Sequence, residues 1–121
     1  MKQFLHSRIN VLQSCRNLDK GCLMFWYKKD KEQVVVGLTN DSLKELGQIW
    51  QFIPRIKVGD SVRNGQAVAT VETTTGLRSL IIVLNGVLYQ SNTSVLTDPE
   101  SIDETTTIFT FSKVNYAMLG L

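Results

Sequence analysis

The chain has 121 residues and a formal net charge of +2, with 43% hydrophobic and 20% charged residues. This composition is that of a globular protein and argues against intrinsic disorder, and the length suits one domain. No apolar run reaches about 18 residues, so no membrane-spanning helix is expected. The small net charge gives no reason to expect a nucleic acid or an anionic membrane as partner.

The first part of the chain carries few functional signals. We assign residues 1–22 to an N-terminal extension and residues 23–121 to one domain. Cys15 and Cys22 have a spacing that matches no zinc or redox motif, which favours reduced thiols in a cytoplasmic protein. His6 is the only histidine, and no catalytic constellation accompanies it. Because the first 18 residues are acid-free and contain basic residues, organelle import remains a minor alternative.

The domain begins with a predicted β-hairpin, which a helix follows. Residues 23–27 and 33–38 are β-prone, and a charged turn connects them. Asn40 or Asp41 is the expected N-cap of one short helix that ends near Gly47.

The remainder alternates short apolar runs with turn signals, which is typical of a small β-sandwich or barrel. Further strands are predicted at residues 61–63, 67–71, 80–84, 87–89 and 108–111. The apolar positions of the paired strands predict a set of buried residues: Val62, Val68, Val71, Leu80, Ile82 and Val87.

Four aromatic residues of the domain could line a binding groove. In strands, however, alternating aromatic residues more often pack in the core or against a neighbouring strand. We therefore expect core or cross-strand packing for all four, which are Trp26, Tyr27, Trp50 and Phe52.

The most informative stretch is residues 58–72, where Gly-Asp-x-Val-x-x-Gly-Gln precedes a strand that ends in Val-Glu. This stretch resembles the first half of the biotinyl/lipoyl carrier domain, and residues 73–88 resemble the second half. The flank at residues 24–49 is similar to the glycine cleavage system H protein, with a tryptophan strand, a Gly-Leu-Thr turn and a short helix. The resemblance covers about residues 24–96.

The resemblance implies an all-β fold with one short helix, a lipoyl-domain-like flattened β-barrel (barrel-sandwich hybrid). Its two halves, within residues 58–90, are expected to be related by an approximate twofold axis. The chain is expected to reverse at a hairpin tip near Thr74, Thr75 and Gly76. In the H-protein family this tip presents the lysine that carries lipoate.

The lysine itself is missing from this chain. In the H-protein pattern it lies three residues after the glutamate, which corresponds here to Thr75, and no lysine occurs between Lys57 and Lys113. Lipoate is attached as an amide to a lysine amine, so no cofactor is expected. The resemblance places the hairpin tip at Glu72, Thr73, Thr74, Thr75 and Gly76. Arg78 follows as a candidate residue for contact with a partner.

Three classes of function remain open. The first is a non-lipoylated H-protein-like module, which binds or regulates a protein partner such as a glycine cleavage or lipoate-handling protein. The alternative is a lipoyl carrier subunit that is loaded at an unusual residue. The third is an independent enzyme, but no acid, base, nucleophile or metal cluster in the sequence supports it. We therefore expect a non-catalytic, cytoplasmic protein with a carrier fold and without nucleic-acid or membrane partners.

Overall fold

A computed structural model describes residues 25–115 of the chain. The predicted N-terminal extension, Cys15, Cys22 and His6 lie outside the described residues. Eight strands run from β1 to β8: Phe25–Asp30, Gln33–Leu38, Ile49–Pro54, Ser61–Val62, Ala67–Thr73, Gly76–Ile81, Gly86–Ser91 and Phe109–Ser112. The helical segments are α1 (Asn40–Leu46), α2 (Ser94–Thr97) and a 3-10 turn (Pro99–Ser101).

The strands form two separate antiparallel sheets. One sheet has five strands in the order β1-β2-β8-β7-β4, and the other has three in the order β3-β5-β6. The predicted all-β fold is therefore confirmed, although the sheets do not join into one closed barrel. The prediction of one short helix holds for α1, but it missed the single turn α2 and the 3-10 turn, which both lie in the connection between β7 and β8.

The core lies between the two sheets. Phe109 of β8 packs its ring 6.2 Å from that of Phe52 in β3 and 6.0 Å from that of Phe111, measured between centroids. The contact with Phe52 connects the five-stranded sheet to the three-stranded sheet. The strand predicted at residues 108–111 is thus confirmed, one residue later than expected, as a central strand that pairs with both β2 and β7.

Five of the six residues predicted to be buried are buried, and Val87 is the exception. Successive side chains of a strand point to opposite faces. In β7, Leu88 faces the core beside Phe111, whereas Val87 lies opposite Ser61 and Ser112 and is half-buried. The prediction for Val87 was therefore wrong by one position in the strand.

The first hairpin is longer than predicted, because β1 continues through the charged residues to Asp30. Only Lys31 and Glu32 form the turn, and Lys31 adopts a positive φ of 61°. Trp26 in this hairpin donates its indole N–H to the carbonyl of Glu104 over 2.7 Å. Its ring lies against Gly37, where an added Cβ would collide with the indole.

The N-cap of α1 lies one residue before the two residues predicted for it, Asn40 and Asp41. This N-cap is Thr39, whose hydroxyl accepts a hydrogen bond from the backbone N–H of Ser42 at 3.1 Å. Asn40 and Asp41 are instead the first two helical residues. Gly47 ends the helix, as predicted, and its N–H donates to the carbonyl of Leu43.

The strand predicted at residues 80–84 is displaced. The observed strand β6 is Gly76–Ile81, and the chain then leaves the sheet. Ile82 and Leu84 are buried although they are not in a strand. Between them, Val83 donates its backbone N–H to the hydroxyl of Tyr27 over 2.9 Å. The apolar run therefore reflects burial between the sheets and not strand pairing.

Candidate functional site at the hairpin tip

The hairpin tip joins β5 to β6, and the chain reverses at Thr74 and Thr75. Thr73 and Gly76 face each other across this two-residue turn. Gly76 has a φ of +115°, which residues with a side chain rarely adopt. The predicted reversal at these residues is confirmed.

The threonine hydroxyls of the tip bond to one another. Thr73 is only 2% exposed, and its hydroxyl lies 3.1 Å from the Gly76 carbonyl and 3.0 Å from the Thr75 hydroxyl. The Thr75 backbone N–H also donates to the Thr73 oxygen at 3.1 Å. Thr73 is therefore a buried residue of the tip, and its hydroxyl holds the turn together from inside. Thr74 and Thr75 are exposed.

The tip is also attached to the end of α1. The Thr74 backbone N–H donates to the carbonyl of Gln48 at 3.2 Å, and the Thr75 hydroxyl lies 3.5 Å from the carbonyl of Leu46. Gly47 has a positive φ of 74°, and a Cβ there would collide with the Thr74 hydroxyl. The turn is therefore held from two sides, by its own hydroxyls and by the helix end.

Glu72 and Arg78 lie on opposite faces of the hairpin. Glu72 is half-buried opposite Gln51 and Leu77, and within the described part of the chain it makes no hydrogen bond or ion pair. Arg78 instead forms an ion pair with Glu45 of α1 at 3.3 Å, with side-chain exposures of 23% and 56%. Such a partly exposed pair stabilises a fold by no more than about 1 kcal/mol. Arg78 therefore contacts a residue of its own chain, whereas the Glu72 carboxylate is available for contact with a partner.

Trp50 departs from the core or cross-strand packing expected for the four aromatic residues. Tyr27 and Phe52 are buried and Trp26 is half-buried, but Trp50 is 52% exposed. The pairing of β3 with β5 shifts register between Ile49 and Gln51, and this bulge leaves both Trp50 and Gln51 at the surface. No local pattern in the sequence marks the bulge.

We refer to Trp50, Glu72, Thr74 and Thr75 as the tip surface. It offers an exposed indole, an unpaired carboxylate and two hydroxyls. The neighbours of the Thr75 hydroxyl are another hydroxyl and a carbonyl, and neither can act as a general base that would activate it. The tip surface therefore presents groups for hydrogen bonding and apolar contact, with no base beside the Thr75 hydroxyl.

Residues 25–115 contain neither a metal-binding cluster nor a membrane-crossing helix. No group of three or more His, Cys, Asp or Glu side chains that could hold a metal ion lies in this range. Nor does any helix in it have the length and apolar character needed to cross a membrane.

Comparisons with known proteins agree on one family. Residues 17–108 match the sequence model of the glycine cleavage H-protein. The glycine cleavage system H protein of Treponema denticola is 32% identical over 79 residues, which are 65% of this chain and 64% of that protein. The corresponding protein of Rubrobacter xylanophilus is 29% identical over 79 residues, 65% and 62% of the two chains. The match thus spans less than two thirds of the length of these relatives.

A solved structure supports the fold independently. The crystal structure of a glycine cleavage system H protein from Mycobacterium marinum has a TM-score of 0.63 and covers 79% of this chain and 88% of its own. At 20% identity this likeness concerns the fold alone. The family match over residues 17–108, however, extends from before β1 to the residue that precedes β8. The chain belongs to the glycine cleavage H-protein family.

Proposed function

We propose that this protein is a non-lipoylated member of its family, which acts as a binding or regulatory module for a protein partner through the tip surface. The observation that carries the proposal is Thr75, at the position where the family pattern has its lysine. Its hydroxyl takes part in the hydrogen bonds of the tip itself. No lysine between Lys57 and Lys113 could take its place.

The chemistry of attachment favours this proposal over an unusual loading site. A lysine supplies a flexible four-carbon stem and an amine that becomes nucleophilic when it is deprotonated. A threonine hydroxyl without an adjacent base is a weak nucleophile, and it ends one bond beyond Cβ. A cofactor joined there would lack the reach of a lysine arm. The proposal therefore includes no resident cofactor.

The tip surface supports binding to a protein. Aromatic side chains are enriched where proteins bind each other, and Trp50 offers 52% of its surface beside a turn that is already held in place. A preformed turn loses little conformational entropy on binding. Family membership makes glycine cleavage proteins and lipoate-handling proteins of the same cytoplasm the first candidates as partners.

The loss of lipoylation is tested with lipoate ligase. The wild type and Thr75→Lys are incubated with ligase, ATP and lipoate, and their intact masses are measured. We expect no lipoyl adduct on the wild type, because the acceptor amine is missing. A lipoylated family member in the same assay shows that the ligase is active, and Thr93→Lys, at an exposed position in the connection between β7 and β8, controls for labelling of any added lysine.

The outcome on the wild type decides the proposal. An adduct on the wild type would overturn it and return the protein to the carrier class. Labelling of Thr75→Lys but not of Thr93→Lys would show that only the acceptor has been lost. If neither variant is labelled, the surface that the ligase recognises has also changed. The intact mass of the protein from its native cell provides the same test without an added enzyme.

The binding function is tested by calorimetric titration against purified glycine cleavage and lipoate-handling proteins of the same organism. Trp50→Ser should weaken the complex at least about tenfold, a loss of roughly 1.4 kcal/mol, because an exposed tryptophan is a typical hot-spot residue. Tyr89→Ser is the matched control, since Tyr89 is 54% exposed on the other sheet. Equal losses for both variants, or no binding by the wild type, would contradict the proposed function.

A further inference from the structure

Strand β6 forms an open edge of the three-stranded sheet. Ile82, the residue after β6, donates its backbone N–H to the Gln66 carbonyl and accepts a hydrogen bond from the Gly65 N–H. Its N–H and C=O groups therefore point to the side of the strand on which β5 lies. Because alternate residues of a strand point these groups in opposite directions, Leu77, Ser79 and Ile81 point theirs to the open side. Within residues 25–115 these outward groups have no hydrogen-bond partner.

The other edges carry features that hinder pairing with another chain. β1 carries exposed Lys28, Lys29 and Asp30, β3 ends at Pro54, and β4 has only two residues. β6 has no lysine or proline. Its one charged residue, Arg78, is turned towards Glu45 and neutralised by it. Within residues 25–115, an edge of this kind, without lysine or proline, favours the addition of a further strand.

We propose that β6 pairs antiparallel with β6 of a second copy of this chain, about a twofold axis at Ser79. The two three-stranded sheets then become one continuous six-stranded sheet. This interaction is separate from the function proposed for the tip surface, and neither depends on the other.

The hydrogen-bonding groups select this register among the alternatives. With the axis at Ser79, Leu77 lies opposite Ile81 of the second copy, and Ser79 lies opposite its own counterpart. All three outward-pointing residues of each strand are then paired, which gives about six backbone hydrogen bonds, two for each opposed pair. An axis at Arg78 or at Leu80 pairs only two of the three, and an axis at Arg78 also places two guanidinium groups directly opposite each other.

The side chains agree with the same register. Leu77 is 69% exposed on the outer face of the sheet, and Ile81 is half-buried on that face. Pairing places each leucine beside an isoleucine of the other copy, an apolar cross-strand pair that stabilises sheets. Arg78 lies opposite Leu80, so no like charges meet. The strand is therefore complementary to itself in hydrogen bonds, apolar contacts and charge.

The oligomeric state of the full chain tests the proposal. Sedimentation equilibrium from about 1 µM to about 1 mM covers association free energies of roughly −8 to −4 kcal/mol. We expect a concentration-dependent dimer for the wild type and for Thr93→Lys, which adds a charge away from β6. Ser79→Lys places two cations opposite each other at the axis, and Ser79→Pro removes the outward N–H donor, so both should be monomeric. Circular dichroism identifies any variant that fails to fold.

The register is tested by disulfide cross-linking in a chain with Cys15 and Cys22 changed to Ser. Ser79→Cys should form an intermolecular disulfide, because the Cα atoms of an opposed hydrogen-bonded pair lie about 5.5 Å apart. Leu77→Cys should not, because its counterpart lies four residues along, about 13 Å away. A monomeric wild type, a dimer that persists in the folded Ser79 variants, or cross-linking at position 77 but not at 79 would overturn the proposal.

Discussion

Replacement of Phe109 by alanine should lower the free energy of unfolding by about 3–5 kcal/mol. Phe109 is fully buried on the central strand β8, and its ring contacts Phe52 of the other sheet and Phe111 of its own. Truncation leaves a cavity between the two sheets, and β8 pairs on both sides and cannot shift to fill it. Urea unfolding followed by circular dichroism measures the loss.

Tyr89→Ala is the control for this prediction. Tyr89 is also an aromatic residue of the five-stranded sheet, but its ring is 54% exposed. Its truncation should change stability by no more than about 0.5 kcal/mol. A domain of this size is usually stable by only about 5–15 kcal/mol, so the Phe109 variant should be visibly weakened at ambient temperature. A loss below about 1 kcal/mol would contradict the assigned contact between the sheets.

Tyr27→Phe should have two effects, one at neutral pH and one in alkali. At neutral pH it leaves the backbone N–H of Val83 without its acceptor, at a cost of about 1–3 kcal/mol. In alkali the effect concerns the ionisation of the phenol. Burial raises the pKa of Tyr27 well above its ordinary value of 10.0. The unfolded chain therefore loses the phenolic proton at a lower pH than the folded protein does.

The stability contributed by this raised pKa is complete below pH 10 and is lost as pH rises towards the folded-state pKa. The slope is about 1.4 kcal/mol per pH unit in that window. Urea unfolding of wild type and Tyr27→Phe at pH 7 and at pH 11 measures it, and the wild type should lose about 1.4 kcal/mol more than the variant. Equal pH dependence for Tyr27→Phe and wild type would show that the phenol is not buried in the native state.

Local chemistry was sufficient to predict much of this fold. The reversal at Gly76 needs a residue without Cβ strain, and the first hairpin follows from β-prone runs on either side of charged residues. The N-cap was wrong because Thr39, Asn40 and Asp41 can all accept the same kind of hydrogen bond. Only the extended backbone at Thr39 decides among them, and the sequence does not contain that conformation.

Long-range contacts could not be predicted in the same way. Thr75 meets the carbonyl of Leu46 across 29 positions of the chain, and Val83 meets Tyr27 across 56. The bulge that exposes Trp50 likewise depends on how β3 pairs with β5. The location of the tip was predicted from the family resemblance, whereas its attachment to α1 and the exposed indole beside it became visible only in the folded chain.

The different surroundings of Trp26 and Trp50 have a practical consequence. They are the only two tryptophans of the chain. Trp26 is half-buried against Gly37 and bonded to Glu104, so its fluorescence responds to unfolding. Trp50 is about half exposed beside the tip, so its emission responds to whatever covers that surface. In a Trp26→Phe variant the remaining tryptophan emission would come from Trp50 alone, and partner binding could be followed optically without an attached dye.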